Sequence, residues 1–223
     1  MVRVAAPLPP AVARCVAATD QYYSARLLKY GATPLGVDWS CAPTQQLRFV
    51  QLLKLLGKRR KFSLNDLGCG YGALLAFLEM RHPSWQVDYA GVDLSSVMVA
   101  KAAELWGHRP SCSFEVGFQC QRVADFSVAS GIFNVRLDMK PNDWASFIAS
   151  TLADMHASSR KGFAVNFLEP ARPGSTPVPE LYRAPLRKWA RYCEQRFGSR
   201  TEIVRGYGMR EYTLLAVKNS GKA

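Results

Sequence analysis

The chain has 223 residues, of which 48% are hydrophobic and 21% charged, and this composition excludes a disordered chain, a collagen-like fibre and a coiled coil. No stretch approaches the roughly 18 uninterrupted apolar residues that a membrane-spanning helix needs. Lysine and arginine exceed aspartate and glutamate by 12. That excess makes an anionic partner worth considering, whether nucleic acid, a membrane surface or an acidic small molecule.

The six cysteines form no Cys-x-x-Cys pair, and the three histidines supply no spacing typical of a zinc site. We therefore expect no metal, reduced thiols and a cytoplasmic protein. Pro7, Pro9 and Pro10 interrupt the apolar residues near the start of the chain, so we expect no secretory signal peptide there.

The first 60 residues are predicted to be mainly helical. After a tail over residues 1–10, the apolar spacing predicts a helix over Pro10–Tyr30, a Gly- and Pro-rich loop over 31–40 and a second helix over Thr44–Leu56. Their inward-facing positions are predicted to be Val12, Val16, Tyr23, Leu27 and Leu28 in the first helix, and Leu47, Val50, Leu53 and Leu55 or Leu56 in the second.

From residue 62 onward, short apolar runs alternate with helical stretches. This alternation predicts βαβ units and an α/β fold with a mostly parallel sheet covered by helices on both faces. The strands are predicted over Phe62–Leu67, Gln86–Asp93, Ser113–Val116, Asp125–Ser130, Gly162–Leu168, Glu202–Val204 and Tyr212–Lys218. The helices are predicted over Gly72–Arg81, Ser95–Trp106, Asp143–Ala157 and Ala184–Phe197. Glycines at 206 and 208 permit a tight reversal, so the last two strands are predicted to be antiparallel.

The most informative motif is Asp66-Leu67-Gly68-Cys69-Gly70-Tyr71-Gly72, directly after the first predicted strand. Its glycines allow a sharp turn and a close approach of a ligand to the backbone, and the next helix begins there with free N–H groups. Asp93 follows 21 residues after Gly72, at the end of the second strand. A carboxylate at that place can accept hydrogen bonds from the two hydroxyls of a ribose.

Two ligands that contain adenosine fit this layout. Gly68, Gly70 and Ala73 satisfy the G-x-G-x-x-A pattern of NAD-binding proteins. However, the strand ends in Asp66, whose negative charge beside a pyrophosphate is unfavourable. S-adenosylmethionine carries an ammonium and a sulfonium in that region, so an acid there favours it over NAD.

Over residues 62–217 the chain resembles the class I S-adenosylmethionine-dependent methyltransferases. The resemblance implies a Rossmann-like, doubly wound sheet of seven strands in the order 3-2-1-4-5-7-6, with strand 7 antiparallel. It divides the chain into an N-terminal helical lid or extension, residues 1–60, and a methyltransferase domain, residues 61–223. It also implies S-adenosylmethionine as cofactor, S-adenosylhomocysteine as product and no metal.

The resemblance implies a role for each matching motif. The loop and Asp66 would hold the methionine part of the cofactor, Asp93 the ribose, and Leu94 with the turn after strand 3 the adenine, while the end of strand 4 would lie near the sulfonium. Aromatic residues before the sheet are expected to close over the cofactor, with Arg48 or Gln46 reaching its polar atoms or those of the substrate. The predicted cofactor-binding residues are thus Asp66, Gly68, Cys69, Gly70, Tyr71, Gly72, Asp93, Leu94, Gly117, Phe118, Ser130, Tyr23 and Trp39.

The flanking segments are similar to a bacterial group of small methyltransferases. Stretches that carry this similarity include Gly36-Val37-Asp38-Trp39 and Ser130-Gly131-Ile132-Phe133-Asn134. Positions near the carboxyl ends of the later strands are the predicted substrate-side residues: Phe133, Asn134, Asn166 and Tyr182. The candidates for a general base, none singled out by its spacing, are Asp38, His108, His156, Glu169 and Tyr207.

The excess positive charge gathers largely toward the end of the chain. Eight basic residues lie between Leu181 and Arg210, opposed by two glutamates. We expect a methyltransferase that modifies an oxygen or nitrogen atom of a small-molecule acceptor, in specialised metabolism or sugar and metabolite modification, acting as a monomer or homodimer. The positive charge suits an anionic acceptor. The alternatives are an RNA methyltransferase that uses this basic region, for which no aromatic-rich basic strand is recognisable, and a non-catalytic cofactor-binding protein.

Overall fold

The computed structural model describes residues 10–176 and 178–219, and the predicted tail over residues 1–9 lies outside them. The helices and strands, in chain order, are α1 (Pro10–Tyr30), α2 (Ala42–Leu53), β1 (Lys61–Leu67), α3 (Ala73–Arg81), β2 (Gln86–Asp93), α4 (Ser96–Trp106), β3 (Cys112–Val116), β4 (Ala124–Ala129), α5 (Pro141–Ala157), β5 (Ser159–Leu168), α6 (Lys188–Phe197), β6 (Arg200–Val204) and β7 (Glu211–Val217). Short 3₁₀ turns over Pro34–Val37 and Lys54–Leu56 flank α2.

The seven strands form one sheet in the order β3-β2-β1-β4-β5-β7-β6. Strands β1 to β5 pair in parallel, whereas β7 runs antiparallel to both of its neighbours, β5 and β6. The predicted fold class, strand order and antiparallel strand 7 are thereby confirmed. Because β1 to β4 run parallel, their carboxyl ends meet at one edge of the sheet, which is where open α/β sheets bind their ligands.

Alternate side chains of the central strands point to opposite faces of the sheet. In β5, Phe163 and Val165 join one buried apolar cluster with side chains of α1, α5 and α6, while Ala164 between them joins a second cluster with α2 and α3. Both faces of the sheet are thus covered by helices, as predicted. Most side chains of the central strands β1, β4 and β5 are buried because helices cover both faces of the sheet.

Helix α1 packs into the main core rather than resting on its surface. Val12 and Cys15 are fully or almost fully buried in the cluster that contains Trp144 and Phe147 of α5. The observed bounds of α1 match the predicted ones, but two apolar positions predicted to face inward are exposed: Leu28, with 76% of its surface accessible, and Val50 of α2, with 43%. The inward stripes are therefore narrower than predicted.

Helix α6 begins four residues later than the sequence pattern indicates. The preceding segment pairs with the ends of neighbouring elements: Leu181 bridges Val135, Arg183 bridges Leu168, and the Ala184 N–H donates to the Leu168 carbonyl at 3.0 Å. Pro185 has no N–H to contribute to a helix. The segment before Lys188 therefore extends the loop that follows β5. Among the helices of the described residues, none is long and apolar enough to cross a membrane.

Candidate active site

A cavity of about 930 Å³, including its open mouth, lies at the carboxyl edge of the sheet. Its floor is formed by the ends of β1, β2 and β4 and by the turns that follow them. Its walls come from helices α1, α2 and α5 and from the loop between α1 and α2. Of the predicted cofactor-binding residues, those that line this cavity are Tyr23, Trp39, Asp66, Gly68, Cys69, Gly70, Asp93, Leu94, Gly117, Phe118 and Ser130.

The glycine loop is a sharp turn that only glycine can make comfortably. Gly68 and Gly70 both have positive φ angles, 76° and 56°. A Cβ atom at Gly68 would lie 2.2 Å from a methyl carbon of Ile132. The Gly68 and Cys69 N–H groups donate to the Val92 carbonyl at 2.7 and 3.1 Å, which anchors the turn to β2. The loop thus places backbone atoms, with no side chains at Gly68 and Gly70, against the cavity.

Asp93 stands at the end of β2 and ties the glycine loop to α4. Its two carboxylate oxygens accept hydrogen bonds from the Gly70 N–H at 2.8 Å and the Ser95 N–H at 3.0 Å. Burial raises the pKa of Asp93 to about 6, although these N–H groups stabilise the charged form. Spare lone pairs on this carboxylate face the cavity, so it can still accept hydrogen bonds from a ligand.

Asp66, at the end of β1, is 2% exposed and accepts a hydrogen bond from the Tyr89 hydroxyl at 2.5 Å. Burial raises the pKa of Asp66 to about 7, the Tyr89 hydrogen bond opposes this rise, and the charge of Asp93 adds to it. Two buried acids within one cavity favour a cationic ligand, whose charge would stabilise both carboxylates. They disfavour a pyrophosphate, so the residues present fit S-adenosylmethionine rather than NAD.

Two further predicted cofactor residues, Cys69 and Ser130, have informative surroundings. Burial raises the pKa of the Cys69 thiol well above its usual value, and the charges of Asp93 and Asp66 add to that effect, so this thiol is not activated as a nucleophile. The Ser130 hydroxyl is buried and has no hydrogen-bond partner among the described residues. Because a buried hydroxyl normally has a partner, its position in the cavity wall is suited to a bound ligand.

Tyr71 and Gly72 are the two predicted cofactor residues that do not line the cavity. Tyr71 packs in a small apolar cluster with Leu27 and Met98. A Cβ atom at Gly72 would lie 2.7 Å from the Trp106 ring. Both positions therefore pack the glycine loop against α1 and α4.

The N-terminal segment contributes two aromatic residues to the cavity wall, Tyr23 and Trp39. Arg48 does not reach the cavity, because its guanidinium pairs with both carboxylate oxygens of Glu211 and lies 3.4 Å from the centre of the Trp39 ring. On the same helix, Gln45 lines the cavity, whereas the predicted Gln46 does not.

The four predicted substrate-side residues lie behind the cavity wall. Phe133 is fully buried between Phe147 and Phe167. Asn166 accepts a hydrogen bond from the Gly131 N–H at 2.8 Å. The Tyr182 hydroxyl accepts one from the Trp189 indole at 3.0 Å. Asn134 differs from them: it is 4% exposed, and neither polar atom of its side chain has a partner among the described residues.

The structure separates the candidate general bases from one another. Asp38 accepts a hydrogen bond from Tyr22 and pairs with Arg26, both at 2.9 Å, while Glu169 pairs with Arg205 at 3.1 Å. Burial raises the pKa of Tyr207 to about 12, and its hydroxyl lies 3.3 Å from that of Thr213.

The two histidine candidates lie elsewhere. His156 stacks on Phe197 near the end of α5, at the opposite edge of the sheet from the cavity, and burial lowers its pKa. His108 is exposed beyond the end of α4.

The residues that helices α1, α2 and α5 contribute to the cavity wall were not predicted from the sequence, apart from Tyr23. They include Thr19, Asp20, Gln45, Phe49, Phe147 and Thr151. Two of them had a readable signal: Thr19 and Asp20 fall on the same helical stripe as Val16, Tyr23 and Leu27, so they are polar residues on an otherwise apolar face. The others occupy positions that look like ordinary core positions.

Comparisons with known proteins show the family of the chain. Residues 65–161 match the model of a methyltransferase domain family. Over 168 residues, which are 75% of this chain and the whole of the relative, the chain is 38% identical to "Putative methyltransferase Rv1506c" of Mycobacterium tuberculosis (strain ATCC 25618 / H37Rv).

Solved structures share the fold at low identity. Human N-acetylserotonin methyltransferase in complex with SAM aligns at 14% identity and a TM-score of 0.59, over 94% of this chain and 58% of that chain. Magnesium protoporphyrin IX methyltransferase from Synechocystis PCC 6803 with bound SAH aligns at 14% identity and a TM-score of 0.51, over 97% of this chain and 90% of that chain. The chain belongs to the class I S-adenosylmethionine-dependent methyltransferases. Its cofactor is S-adenosylmethionine, and its matched relatives identify it as an enzyme.

Proposed function

We propose that the chain methylates an oxygen or nitrogen atom of a small, negatively charged acceptor, in specialised metabolism or in the modification of a sugar or another metabolite. The observation that carries the acceptor class is the enclosure of the cavity: helices α1, α2 and α5 and the loop before α2 all line it, so an acceptor enters a pocket rather than lying along a groove. The printed names of two fold relatives, N-acetylserotonin and magnesium protoporphyrin IX methyltransferase, also specify discrete small acceptors.

The residues of the site would contribute in two ways: by binding the charged cofactor and by placing the reacting groups. When bound, S-adenosylmethionine supplies a methyl group on a positively charged sulfonium. Asp66 and Asp93 would hold the cationic and hydroxyl-bearing parts of that cofactor. Bringing two reacting groups together in line can supply about 7–11 kcal/mol of the barrier, so exact placement is the main requirement. A general base is needed only where the acceptor keeps its proton near neutral pH.

The Ser130 hydroxyl and the Asn134 amide are unpartnered polar groups beside the end of β4, and Ser130 lines the cavity. Both lie in the segment that follows the strand, and both are buried without a hydrogen-bond partner among the described residues. Leaving a buried polar group unpaired costs about 1–3 kcal/mol, which a ligand that pairs with it would recover. We therefore assign the side chain of Ser130, which lines the cavity, to ligand binding at the acceptor end, whereas Asn134 lies behind the wall.

A group of arginines supports a negative charge on the acceptor. Arg183 and Arg210 donate to the carbonyl oxygens of Glu169 and Pro170, at 3.1 and 3.0 Å, and Arg205 pairs with the Glu169 carboxylate. Three cations thus hold the segment directly after β5, at the cavity edge of the sheet, and one of them pairs with its carboxylate. The uncompensated charge would attract a carboxylate or phosphate group.

The experiment is methyl transfer from methyl-labelled S-adenosylmethionine into a small-molecule extract of the source organism, separated into anionic and neutral fractions and analysed by mass spectrometry. We expect label in anionic metabolites, and a several-fold loss of it in Arg183→Gln. The matched control is Arg191→Gln, since Arg191 is an exposed arginine of α6. Label in neutral compounds alone would contradict the charge, and label in added RNA would contradict the small acceptor.

A further inference from the structure

A closed ring of contacts joins the N-terminal segment to the sheet beside the cavity. Trp39 contacts Arg48, Arg48 pairs with Glu211 of β7, and Glu211 accepts a hydrogen bond from the Asn166 amide at 3.2 Å. The Asn166 oxygen accepts the Gly131 N–H at 2.8 Å. Gly131 closes the ring, since a Cβ atom there would lie 2.3 Å from the Trp39 ring. We call these five residues the Glu211 ring.

Glu211 is the centre of this ring. Its carboxylate accepts hydrogen bonds from Nε and Nη2 of Arg48 as well as from Asn166, and the Arg48 and Glu211 side chains are only 5% and 3% exposed. Buried charges are tolerated only when they are paired and hydrogen-bonded with good geometry. One carboxylate therefore holds two walls of the cavity: Trp39 through Arg48, and the Gly131 backbone through Asn166.

These two walls face the site of transfer. Trp39, Ser130, Gly131 and Ile132 line the cavity, whereas Glu211 and Asn166 lie behind it. We propose that Glu211 and Asn166 are positioning residues, which fix the distance between the N-terminal aromatic wall and the segment after β4, and so align acceptor and cofactor. The proposal rests on methyl transfer by this site and applies to any acceptor.

The first test is Glu211→Gln, which keeps the shape of the side chain and removes its charge. A misplacement of about 1 Å can cost roughly 100-fold in rate, so we expect label transfer into the extract at saturating cofactor to fall about 10- to 100-fold. Binding of S-adenosylhomocysteine, measured by calorimetry, should change less than about threefold, because Asp66 and Asp93 are untouched.

A second measurement detects a change in the surroundings of Trp39 directly and needs no acceptor. Protein labelled with 5-fluorotryptophan gives ¹⁹F signals for its five tryptophans, and Trp39→Phe assigns the one from Trp39. In ligand-free Glu211→Gln we expect the Trp39 signal to shift or broaden while that of Trp85, at the other edge of the sheet, stays unchanged. An unmoved Trp39 signal overturns the proposal even if no acceptor is found.

A double variant separates position from stability. Arg48→Met with Glu211→Leu replaces the ion pair by apolar side chains, an exchange that is often neutral for stability. We expect near-native melting but the same loss of transfer, and restored transfer would overturn the positioning role. The matched control is Glu79→Gln, which breaks an arginine–glutamate pair far from the cavity, Arg109–Glu79 at 2.5 Å. Its transfer rate should equal that of the native protein.

Discussion

Asp66 illustrates how a single buried acid can serve binding at the expense of stability. Burial raises its pKa from 3.8 to about 7, so the folded, ligand-free protein holds a proton there that the unfolded chain releases above pH 4. The stability associated with this proton is present at low pH and is lost as the pH rises through about 7. One pKa unit corresponds to about 1.4 kcal/mol.

We therefore predict that Asp66→Asn raises the free energy of unfolding of the ligand-free protein at pH 8 by the order of 2–4 kcal/mol, and changes it little at pH 4. The amide oxygen can still accept the Tyr89 hydrogen bond. The same variant should bind S-adenosylmethionine more weakly, and it should lack the increase in affinity that we expect for the native protein between pH 6 and pH 8 as Asp66 loses its proton. Urea unfolding and calorimetry at the two pH values measure both effects. A variant less stable than the native protein at pH 8 would contradict this account.

A substitution of Asp93 tests its predicted contact with the ribose. Hydrogen bonds to charged groups contribute about 1.5–3 kcal/mol each. Asp93→Ala removes a carboxylate that would serve two ribose hydroxyls and that already holds Gly70 and Ser95. We expect a loss in affinity for S-adenosylmethionine of at least about 100-fold by calorimetry. Asp88→Ala on the same strand, with its side chain 60% exposed, is the control and should bind normally.

At the scale of elements, two glycines form a matched pair, Gly131 in the turn after β4 and Gly174 in the loop after β5. Gly131 and Gly174 both have φ = 79°, so an alanine is equally strained at either position. Only at Gly131 would the added methyl group meet the Trp39 ring, whereas nothing lies within 4 Å at Gly174. We expect Gly131→Ala to reduce methyl transfer at least tenfold beyond the effect of Gly174→Ala. Equal losses of methyl transfer in the two variants would show that methyl transfer does not depend on the position of the Trp39 ring.

Helix α1 is expected to support the cofactor site through its buried side. Leu27 is 7% exposed and packs with Tyr71 of the glycine loop and Met98 of α4, while its neighbour Leu28 is 76% exposed. Leu27→Ala should lower the free energy of unfolding by about 2–4 kcal/mol and weaken cofactor binding. Leu28→Ala should change stability by less than about 0.5 kcal/mol. Thermal unfolding and calorimetry on the pair test this, and comparable losses in both variants would contradict it.

The burial of α1 also changes an expectation drawn from the sequence. The sequence predicts that residues 1–60 form a lid or extension of the methyltransferase domain, which implies that the domain can fold without the start of the chain. Because Val12 and Cys15 lie in the main core against α5, their removal would expose Trp144 and Phe147 to water. Truncation should therefore destabilise the whole chain, which is why point variants are the better probe of the wall.

Across the whole molecule, local patterns predicted the sheet well, because short strands alternate along the chain with helices of clear periodicity. The Gly68–Gly72 loop and Asp93 could be placed from sequence because they belong to consecutive strands. Asp20, Gln45 and Thr151 could not, since they reach the cavity only after helices distant in sequence pack around it. The Arg48–Glu211 pair, 163 residues apart, depends in the same way on tertiary packing.

The net charge of +12 and the acidic cavity act over different distances, which gives the last prediction. At 0.15 M salt, charges more than about 8 Å apart are largely screened, while the buried Asp66 and Asp93 are not. At 100 times its Kd, S-adenosylmethionine should stabilise the protein by about 2.7 kcal/mol. For a chain of this size that raises the Tm by roughly 5–10 °C, and the shift should persist at 0.5 M salt. NAD is anionic, so any shift it causes at low salt through the overall positive charge should vanish at 0.5 M. A salt-resistant NAD shift would contradict the assignment of these two acids to a cationic cofactor.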